Sequence, residues 1–136
     1  MLQLEPYMFF YGKCEEALNF YKGIFGGQIT SITRMKEAPP EMPAPPNWGD
    51  KIMHASFEAP SVKFMASDGR PDTPNTDGNI ALSLSTRDEA EATRVFNKLS
   101  EGGAVDMPMQ DMFWGSKFGV LKDKYGIEWM VNCDKS

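Results

Sequence analysis

The sequence predicts an α+β fold made of two βαβββ modules, each a curved mixed sheet with one helix on its outer face. Two observations lead to this prediction. Each half of the 136-residue chain contains one stretch with apolar residues three and four positions apart, preceded by one strand-like segment and followed by three. Each such stretch ends in a glycine pair, Gly26-Gly27 or Gly102-Gly103, which indicates an internal duplication. We expect one domain, 1–136, with modules 1–75 and 76–136.

The composition excludes several classes of protein. A net charge of −5, with scattered Lys and Arg, argues against nucleic acid as a partner, because phosphate binding needs a basic patch. No apolar run approaches the ~20 residues that a membrane helix needs, and the first residues lack the pattern of a signal peptide. The two cysteines, Cys14 and Cys133, fit a reducing compartment as free thiols, although a disulfide between them is possible. We therefore expect a cytoplasmic protein.

The first module begins with a strand and a helix. Residues 2–11 alternate, which predicts a strand with Leu4, Met8 and Phe10 on one face and Glu5, Tyr7 and Phe9 on the other. The following stretch, "GKCEEALNFYKGIFGG", has apolar residues at helical spacing. They are Cys14, Ala17, Leu18, Tyr21, Ile24 and Phe25. Gly26-Gly27 should end this helix, since glycine adopts the left-handed cap conformation easily.

Three strands should complete the first module: residues 27–36, 52–59 and 62–67. A loop with five prolines, within residues 37–50, separates the first two. In the strand 52–59, alternation places Ile52, His54, Ser56 and Glu58 on one face and Met53, Ala55 and Phe57 on the other. The second face is apolar and should meet the helix, so His54 is expected on the concave side of the sheet.

The second module repeats this order. Residues 79–86 predict a strand, and Thr86 and Glu89 form the pattern of a capping box that opens a helix. That helix should direct four apolar residues inward: Ala92, Val95, Phe96 and Leu99. It should end at Gly102-Gly103, and three strands should follow at 104–112, 117–122 and 127–133.

The chain resembles the vicinal oxygen chelate superfamily, which includes glyoxalase I, bleomycin-resistance proteins and extradiol dioxygenases. The strings "PYMFFYGKCEEALNFYKGIFGG", "IMHASFE", "FMASDG" and "LSEGGAVDMPMQDMFWGSKFGVLKDKYGIEWMV" resemble its PhnB-like branch, also labelled demethylubiquinone methyltransferase-like. The resemblance covers nearly the whole chain. It implies the glyoxalase/bleomycin-resistance fold and a homodimer whose partner helps to shape the pocket.

The resemblance also implies a divalent-metal site with ligands on the first and last strand of each half. These positions carry over to Glu5, Met65, Asn79 and Met130, and a slip in the last strand would bring in Glu128 instead of Met130. Only Glu5 is a usual ligand, and thioether sulfur is a poor donor to Mg, Mn, Zn or Ni sites. We therefore predict a dismantled metal site and no cofactor, unless a second chain supplies the missing ligands.

The same residues predict a pocket for a small molecule. Its aromatic wall should come from four side chains: Tyr7, Phe9, Trp114 and Phe118. The polar side chains that orient the ligand should be His54, Ser83 and Asn79. Met65 and Met130 should make further contacts with the ligand. Plain core packing is the more common role for each of these rings, and a structural hydrogen bond is the alternative role for His54. Trp48, in the proline-rich loop, fits either a flexible lid or a subunit contact.

Three functions remain open from the sequence. The first is binding of a small, partly apolar or aromatic molecule. The second is a divalent-metal-dependent lyase, isomerase or dioxygenase that uses Glu5, His54 and a carboxylate such as Glu128. The third is a metal-free enzyme with His54 as general base, since the imidazole titrates near neutral pH.

Overall fold

The computed structural model of the protein describes residues 5–69, 71, 80–112 and 115–134. The chain divides into two compact units, Met1–Thr76 and Asp77–Ser136. The boundary predicted at residues 75 and 76 lies outside the described residues, and the single-domain assignment stays a prediction.

The elements are β1 (Tyr7–Phe9), α1 (Cys14–Phe25), β2 (Gln28–Arg34), a 3₁₀ helix (Met35–Glu37), β3 (Ile52–Ala59), β4 (Val62–Ser67), β5 (Leu82–Thr86), α2 (Glu89–Ser100), β6 (Ala104–Asp111), β7 (Ser116–Lys122) and β8 (Glu128–Asp134).

The first unit is a four-stranded mixed sheet in the order β1-β4-β3-β2, with α1 packed on one face. Strands β1 and β4 are parallel, and the other pairs are antiparallel. The helix buries Ala17, Leu18 and Tyr21, and the sheet presents Phe57 and Phe64, whose rings stack 5.0 Å apart. The predicted helix face is confirmed, because apolar side chains at this spacing must lie on one side.

Strand β1 is shorter than predicted. Met8 and Phe10 are buried and Tyr7 and Phe9 are exposed, which confirms the predicted alternation, but within the described residues 5–11 the strand covers Tyr7–Phe9. The predicted strand residues 2–4, which include Leu4, lie outside the described residues. The chain turns away at Tyr11, where φ is 49°, and at Gly12. A positive φ is incompatible with an extended strand, so the ladder ends there.

A register shift corrects the predicted orientation of Ile52. Thr33 pairs with His54 and Arg34 pairs with Ile52, which leaves Met53 without a partner in β2. Such a bulge reverses the alternation on one side of the extra residue. Ile52 is therefore fully buried, whereas Met53 is half-buried and lines a cavity. The prediction that Ile52 shares a sheet face with His54 was therefore wrong, since Ile52 lies on the buried face.

The second unit repeats the first, with the sheet order β5-β8-β7-β6 and a parallel first pair. The predicted inward residues of α2 are buried: Ala92, Val95, Phe96 and Leu99. They meet an apolar sheet face that includes Leu121, Trp129 and Val131, all at most 2% exposed. The identical element order in both units supports the inferred duplication.

The start of α2 differs from the predicted capping box. The helix begins at Glu89, and Asp88 is the N-cap, with its side chain accepting a hydrogen bond from Glu91 N at 3.2 Å. Thr86 lies two residues earlier, where its hydroxyl accepts a hydrogen bond from Asp88 N and donates one to the Glu91 carboxylate at 2.8 Å. Thr86 and Asp88 are both residue types that are preferred at a helix N-cap. Asp88 is nearer to the apolar residues of the helix, and it is the one that caps it.

The second glycine of each pair permits a close backbone approach. A Cβ placed on Gly27 would lie 2.3 Å from the Glu58 carbonyl oxygen, and one on Gly103 would lie 2.3 Å from the Lys122 carbonyl oxygen. A real Cβ cannot occupy either position, so the helix-to-strand connections of both units require glycine. Within the described part of the chain, no helix has the length and apolar character needed to cross a membrane.

Candidate functional site

The open face of the first sheet, opposite α1, carries a row of rings. Tyr7 and Phe9 of β1 both point to this face, and they are 42% and 47% exposed. Their ring centroids lie 5.1 Å apart in a stacked arrangement. The His54 imidazole on β3 meets the Tyr7 ring edge-on at 5.8 Å, and Tyr11 lies 6.4 Å from Phe9. The structure thus brings together three predicted site residues and adds Tyr11.

Two further predicted residues lie on this side of the sheet. Met65 is the register partner of both Tyr7 on β1 and Ser56 on β3, so it occupies the centre of the open face. Glu5 precedes β1, and its carboxylate lies 3.9 Å from the Lys63 ammonium. At that distance the pair is a loose ion pair that leaves the carboxylate able to accept other donors.

A cavity of about 420 Å³ adjoins the ring row. It lies between the loop 38–50 and the end of the sheet, and its lining combines three thioethers, two prolines and few polar groups. The lining residues are Met35, Ala38, Glu41, Met42, Pro43, Pro45, Met53, Ser67 and Gly69. Ser67 pairs with Phe9 in the sheet, and a Cβ on Gly69 would lie 3.3 Å from the Phe9 ring. The row of rings therefore meets the cavity lining at Phe9 and Tyr11.

A buried carboxylate, Asp68, lies in the sequence between two lining residues of this cavity, Ser67 and Gly69. Asp68 is 1% exposed, and its two oxygens accept hydrogen bonds from Gly12 N, Cys14 N and Ile52 N at 2.7–2.8 Å. These donors belong to the start of α1 and the start of β3. Asp68 was not among the predicted site residues. An aspartate directly after a buried strand and before Gly69 was the available signal.

Ion pairs hold the base of the loop 38–50. The Arg34 guanidinium binds both oxygens of Glu15 and donates to the Asp50 carbonyl, and Lys36 pairs with the Asp50 carboxylate at 2.8 Å. The hydrogen bonds from Arg34 hold the pKa of Glu15 below its usual value, and those from Lys36 do the same for the pKa of Asp50. These contacts fix where the loop leaves and rejoins the sheet.

Trp48 closes the loop against the turn at Gly12. A Cβ on Gly12 would lie 3.2 Å from the Trp48 ring, and the Lys51 ammonium lies 5.8 Å from the ring centroid. The indole Nε1 is buried and has no hydrogen-bond partner among the described residues. Both predicted roles of Trp48, lid and subunit contact, stay predictions.

The open face of the second sheet carries three other predicted residues. Ser83 on β5 pairs with Met130 on β8, and Phe118 on β7 pairs with Asn132. These side chains lie opposite the face that buries Trp129, and none of the three is fully buried. Asn79 and Trp114, also predicted site residues, lie outside the described residues. The roles assigned to these residues stay predictions.

The ligand set implied by the superfamily does not suit a divalent cation. Across residues 5–69, 71, 80–112 and 115–134, no three His, Cys, Asp or Glu side chains form a group that could hold a metal ion. The described members of the set are one carboxylate, Glu5, and two thioethers, Met65 and Met130. Hard ions such as Mg²⁺ and Mn²⁺ prefer oxygen donors, and Zn²⁺ prefers imidazole or thiolate. Glu128 lies on the same face as Met130, two positions away.

The fold defines a member of the glyoxalase/bleomycin-resistance fold group. The family described as 3-demethylubiquinone-9 3-methyltransferase matches residues 3–132. The chain therefore belongs to this PhnB-like family.

Solved structures agree with this assignment. Protein PA1353 from Pseudomonas aeruginosa is 40% identical, with 98% of both chains covered and a TM-score of 0.87. A PhnB protein from Bacillus cereus is 32% identical, with 97% of this chain and 99% of that chain covered and a TM-score of 0.79. A glyoxalase/bleomycin resistance protein/dioxygenase superfamily member from Sphaerobacter thermophilus is 18% identical, with 98% and 99% covered and a TM-score of 0.58, and supports the fold alone. The predicted fold and family are confirmed.

Proposed function

We propose that this protein binds a small, partly apolar or aromatic molecule in the cavity beneath the loop 38–50, and that its superfamily metal site is degraded. The observation that carries the proposal is the position of the Phe9 ring, which stacks on Tyr7 and lies beside Gly69 of the cavity lining. About 420 Å³ falls within the range of small-molecule pockets. An apolar lining beside exposed rings suits a planar or aromatic ligand body.

His54 would orient such a ligand. Its ring lies against Tyr7 on the open face, and the side chain is half-buried, so a polar group of the ligand could reach it. Ser56 and Glu58 on the same strand add polar groups to this side. The residues predicted on the second unit, Ser83, Phe118 and Met130, would serve ligands only at their own sheet face.

The binding test uses N-phenyl-1-naphthylamine, a neutral aromatic probe whose fluorescence rises in apolar surroundings. Wild-type protein should bind it with a saturable curve. Ala38→Phe places a ring in the cavity and should weaken binding about tenfold or more, a change of 1.4 kcal/mol. Ala44→Phe makes the same change in the same loop, outside the cavity lining, and should leave binding within about twofold. Absence of wild-type binding, or equal effects of both variants, would contradict the proposal.

The competing candidate is the divalent-metal-dependent enzyme. Its support is that Glu5 and His54 lie on the same side of the first sheet. Elemental mass spectrometry after dialysis against Mn, Co, Ni and Zn in turn separates the two. Near-stoichiometric retention of one ion, lost in Glu5→Gln, would overturn the degraded metal site and direct attention to lyase and dioxygenase chemistry. Loss of every ion on dialysis supports the binding protein.

The homodimer and the cytoplasmic location belong to the same proposal. Large apolar side chains such as Ile80 and Val105 are exposed, at 75% and 48%, which suits a subunit contact. Cys14 and Cys133 are both free and buried, as expected in a reducing compartment. Sedimentation velocity at several concentrations should show a dimer, and a monomer at all concentrations would exclude it.

A further inference from the structure

We propose that the ligand of this cavity is a cation, namely an ammonium group on a small apolar or aromatic body, held by Glu41 and the row of Tyr7, Phe9 and Tyr11. The inference rests on the proposed function, because it names the class of molecule that the same cavity takes. Three features carry it: the charge at the cavity, the exposed ring faces and the thioether lining.

The charge at the cavity is negative and uncompensated. Glu41 is the charged residue of the described lining, and it makes no ion pair or hydrogen bond with another described residue. The basic residues nearest the loop base are already engaged, Arg34 with Glu15 and Lys36 with Asp50. The Lys51 ammonium donates to the Gly12 carbonyl at 2.8 Å. An anionic ligand would therefore meet repulsion from Glu41 without a free partner in the lining.

The ring row offers a second attraction for a cation. An aromatic face is the negative part of the ring quadrupole, so a cation within about 6 Å of its centroid is stabilised. Tyr7, Phe9 and Tyr11 form a continuous series with centroid separations of 5.1 and 6.4 Å. Gly69 connects this series to the cavity, since a Cβ there would lie 3.3 Å from Phe9 and 3.7 Å from Tyr11. Glu41 and Gly69 line the same cavity, so a cation bound there would have a carboxylate in the lining and the Phe9 and Tyr11 rings beside Gly69.

The thioethers of the lining suit the apolar part of such a ligand. Met35, Met42 and Met53 contribute polarizable sulfur without hydrogen-bond donors. An alkylated ammonium needs this kind of surface, because its methyl groups bring no donor that would require an acceptor. A neutral ligand with several hydroxyl groups would leave them without partners along the thioether wall, which is unfavourable.

Two probes of equal shape separate charge from apolar fit. Phenyltrimethylammonium and tert-butylbenzene have the same size and outline, and only the first is charged. In competition with N-phenyl-1-naphthylamine, the cation should displace the probe at a concentration about fivefold or more below that of the neutral compound. Glu41→Gln and Phe9→Leu should each reduce this ratio by about threefold, whereas Glu101→Gln, in the second unit, should leave it unchanged.

The outcomes separate this inference from the proposed function. Equal displacement by both compounds would overturn the cation preference and leave cavity binding intact. Failure of the naphthylamine to bind wild type would overturn both. A preference that survives Glu41→Gln and Phe9→Leu would overturn the assigned residues. The preference should also weaken between 0.01 and 1 M salt, since screening of an exposed carboxylate grows as the Debye length falls from about 30 to about 3 Å.

Discussion

The two units share one scaffold but differ in what their open sheet faces carry. Both follow the order strand, helix and three strands, and both pair the first strand with the last in parallel. The first unit directs Tyr7, Phe9 and His54 from its open face and borders a cavity of about 420 Å³. The second directs Ser83 and Met130 from the corresponding face. The same backbone architecture thus carries different side chains on its open face in each unit.

The buried carboxylates show the same contrast. Asp68 joins Gly12, Cys14 and Ile52, which lie 16 to 56 positions away in the sequence. Asp123 accepts from Tyr125 N, Ile127 N and the Trp129 indole, all within six positions. One carboxylate therefore connects distant elements, and the other stabilises a local turn. This difference predicts unequal costs of removal.

The largest expected effect is that of Asp68→Ala. It leaves three backbone N–H groups without their acceptor in the core, and hydrogen bonds to a charged group contribute about 1.5–3 kcal/mol each. We expect a loss of about 4–5 kcal/mol in the free energy of unfolding, measured by urea denaturation. Asp123→Ala should cost about 2–3 kcal/mol, since water can replace part of a turn. Equal losses would show that distant and local carboxylates contribute alike.

The next effect concerns the shared glycines. Gly27→Ala meets both a positive φ of 78° and a Cβ contact of 2.3 Å, whereas Gly103→Ala meets only the contact of 2.3 Å. Each kind of strain costs about 1–3 kcal/mol, so we expect about 2–4 kcal/mol for Gly27→Ala and about 1–3 kcal/mol for Gly103→Ala. Gly23→Ala, which has nothing within 4 Å, is the control and should be neutral or stabilising in the same urea experiment. The reverse order of the two losses would contradict the assigned strain.

His54→Ala should distinguish a ligand contact from a structural role. If His54 orients the ligand, its removal weakens binding by about 1–3 kcal/mol, because a polar group of the ligand loses its partner. Unfolding should change by less than about 0.5 kcal/mol, since the side chain is half-buried. Ser83→Ala, on the face of the other unit, is the matched control for binding. A loss of stability without a loss of affinity would make His54 structural.

The smallest expected effect is the pH dependence of Glu15→Gln. The pKa of Glu15 is lowered by Arg34, so the ionised pair stabilises the fold above the unfolded-state pKa and ceases to do so as the pH falls through the lowered value. The pair is largely exposed, so we expect a difference from wild type of about 0.2–1 kcal/mol at pH 7. Urea denaturation at a series of pH values from neutral to acid should show this difference shrink as the pH falls below the ordinary glutamate pKa and through the lowered value. A constant difference would contradict the ion pair.

The periodic parts of the fold could be predicted from the sequence. Strands β3 and β4 begin and end at the predicted residues, and the inward faces of both helices agree, because burial imposes periods of 2 and 3.6 directly on the apolar residues. The structure departs from the prediction where a single residue interrupts the regular alternation of a strand. The bulge at Met53 and the positive φ at Tyr11 depend on register and turn geometry, which no periodicity reveals.

The candidate site was less predictable than the fold. Alternation predicted that Tyr7, Phe9 and His54 face the open side of the sheet, and their ring contacts agree with that shared side. Their roles in binding stay predictions. The cavity was not found, because it depends on how the proline-rich loop returns over the sheet. That path is set by contacts between distant residues, such as Arg34 with Glu15 and Trp48 with Gly12. Single-sequence patterns carry no information on such pairs.

The buried thiols give each unit its own reporter of local opening. Cys14 lies at the start of α1 and Cys133 in β8, and both are at most 1% exposed. Burial, together with the nearby Asp68 carboxylate, raises the pKa of the Cys14 thiol, so the folded state presents almost no reactive thiolate. Alkylation of each thiol must then wait for its own element to open. Mass spectrometry can follow the alkylation rates of Cys14 and Cys133 with and without a bound molecule. A slower rate at Cys133 would measure how far binding at the first unit slows the opening of the second.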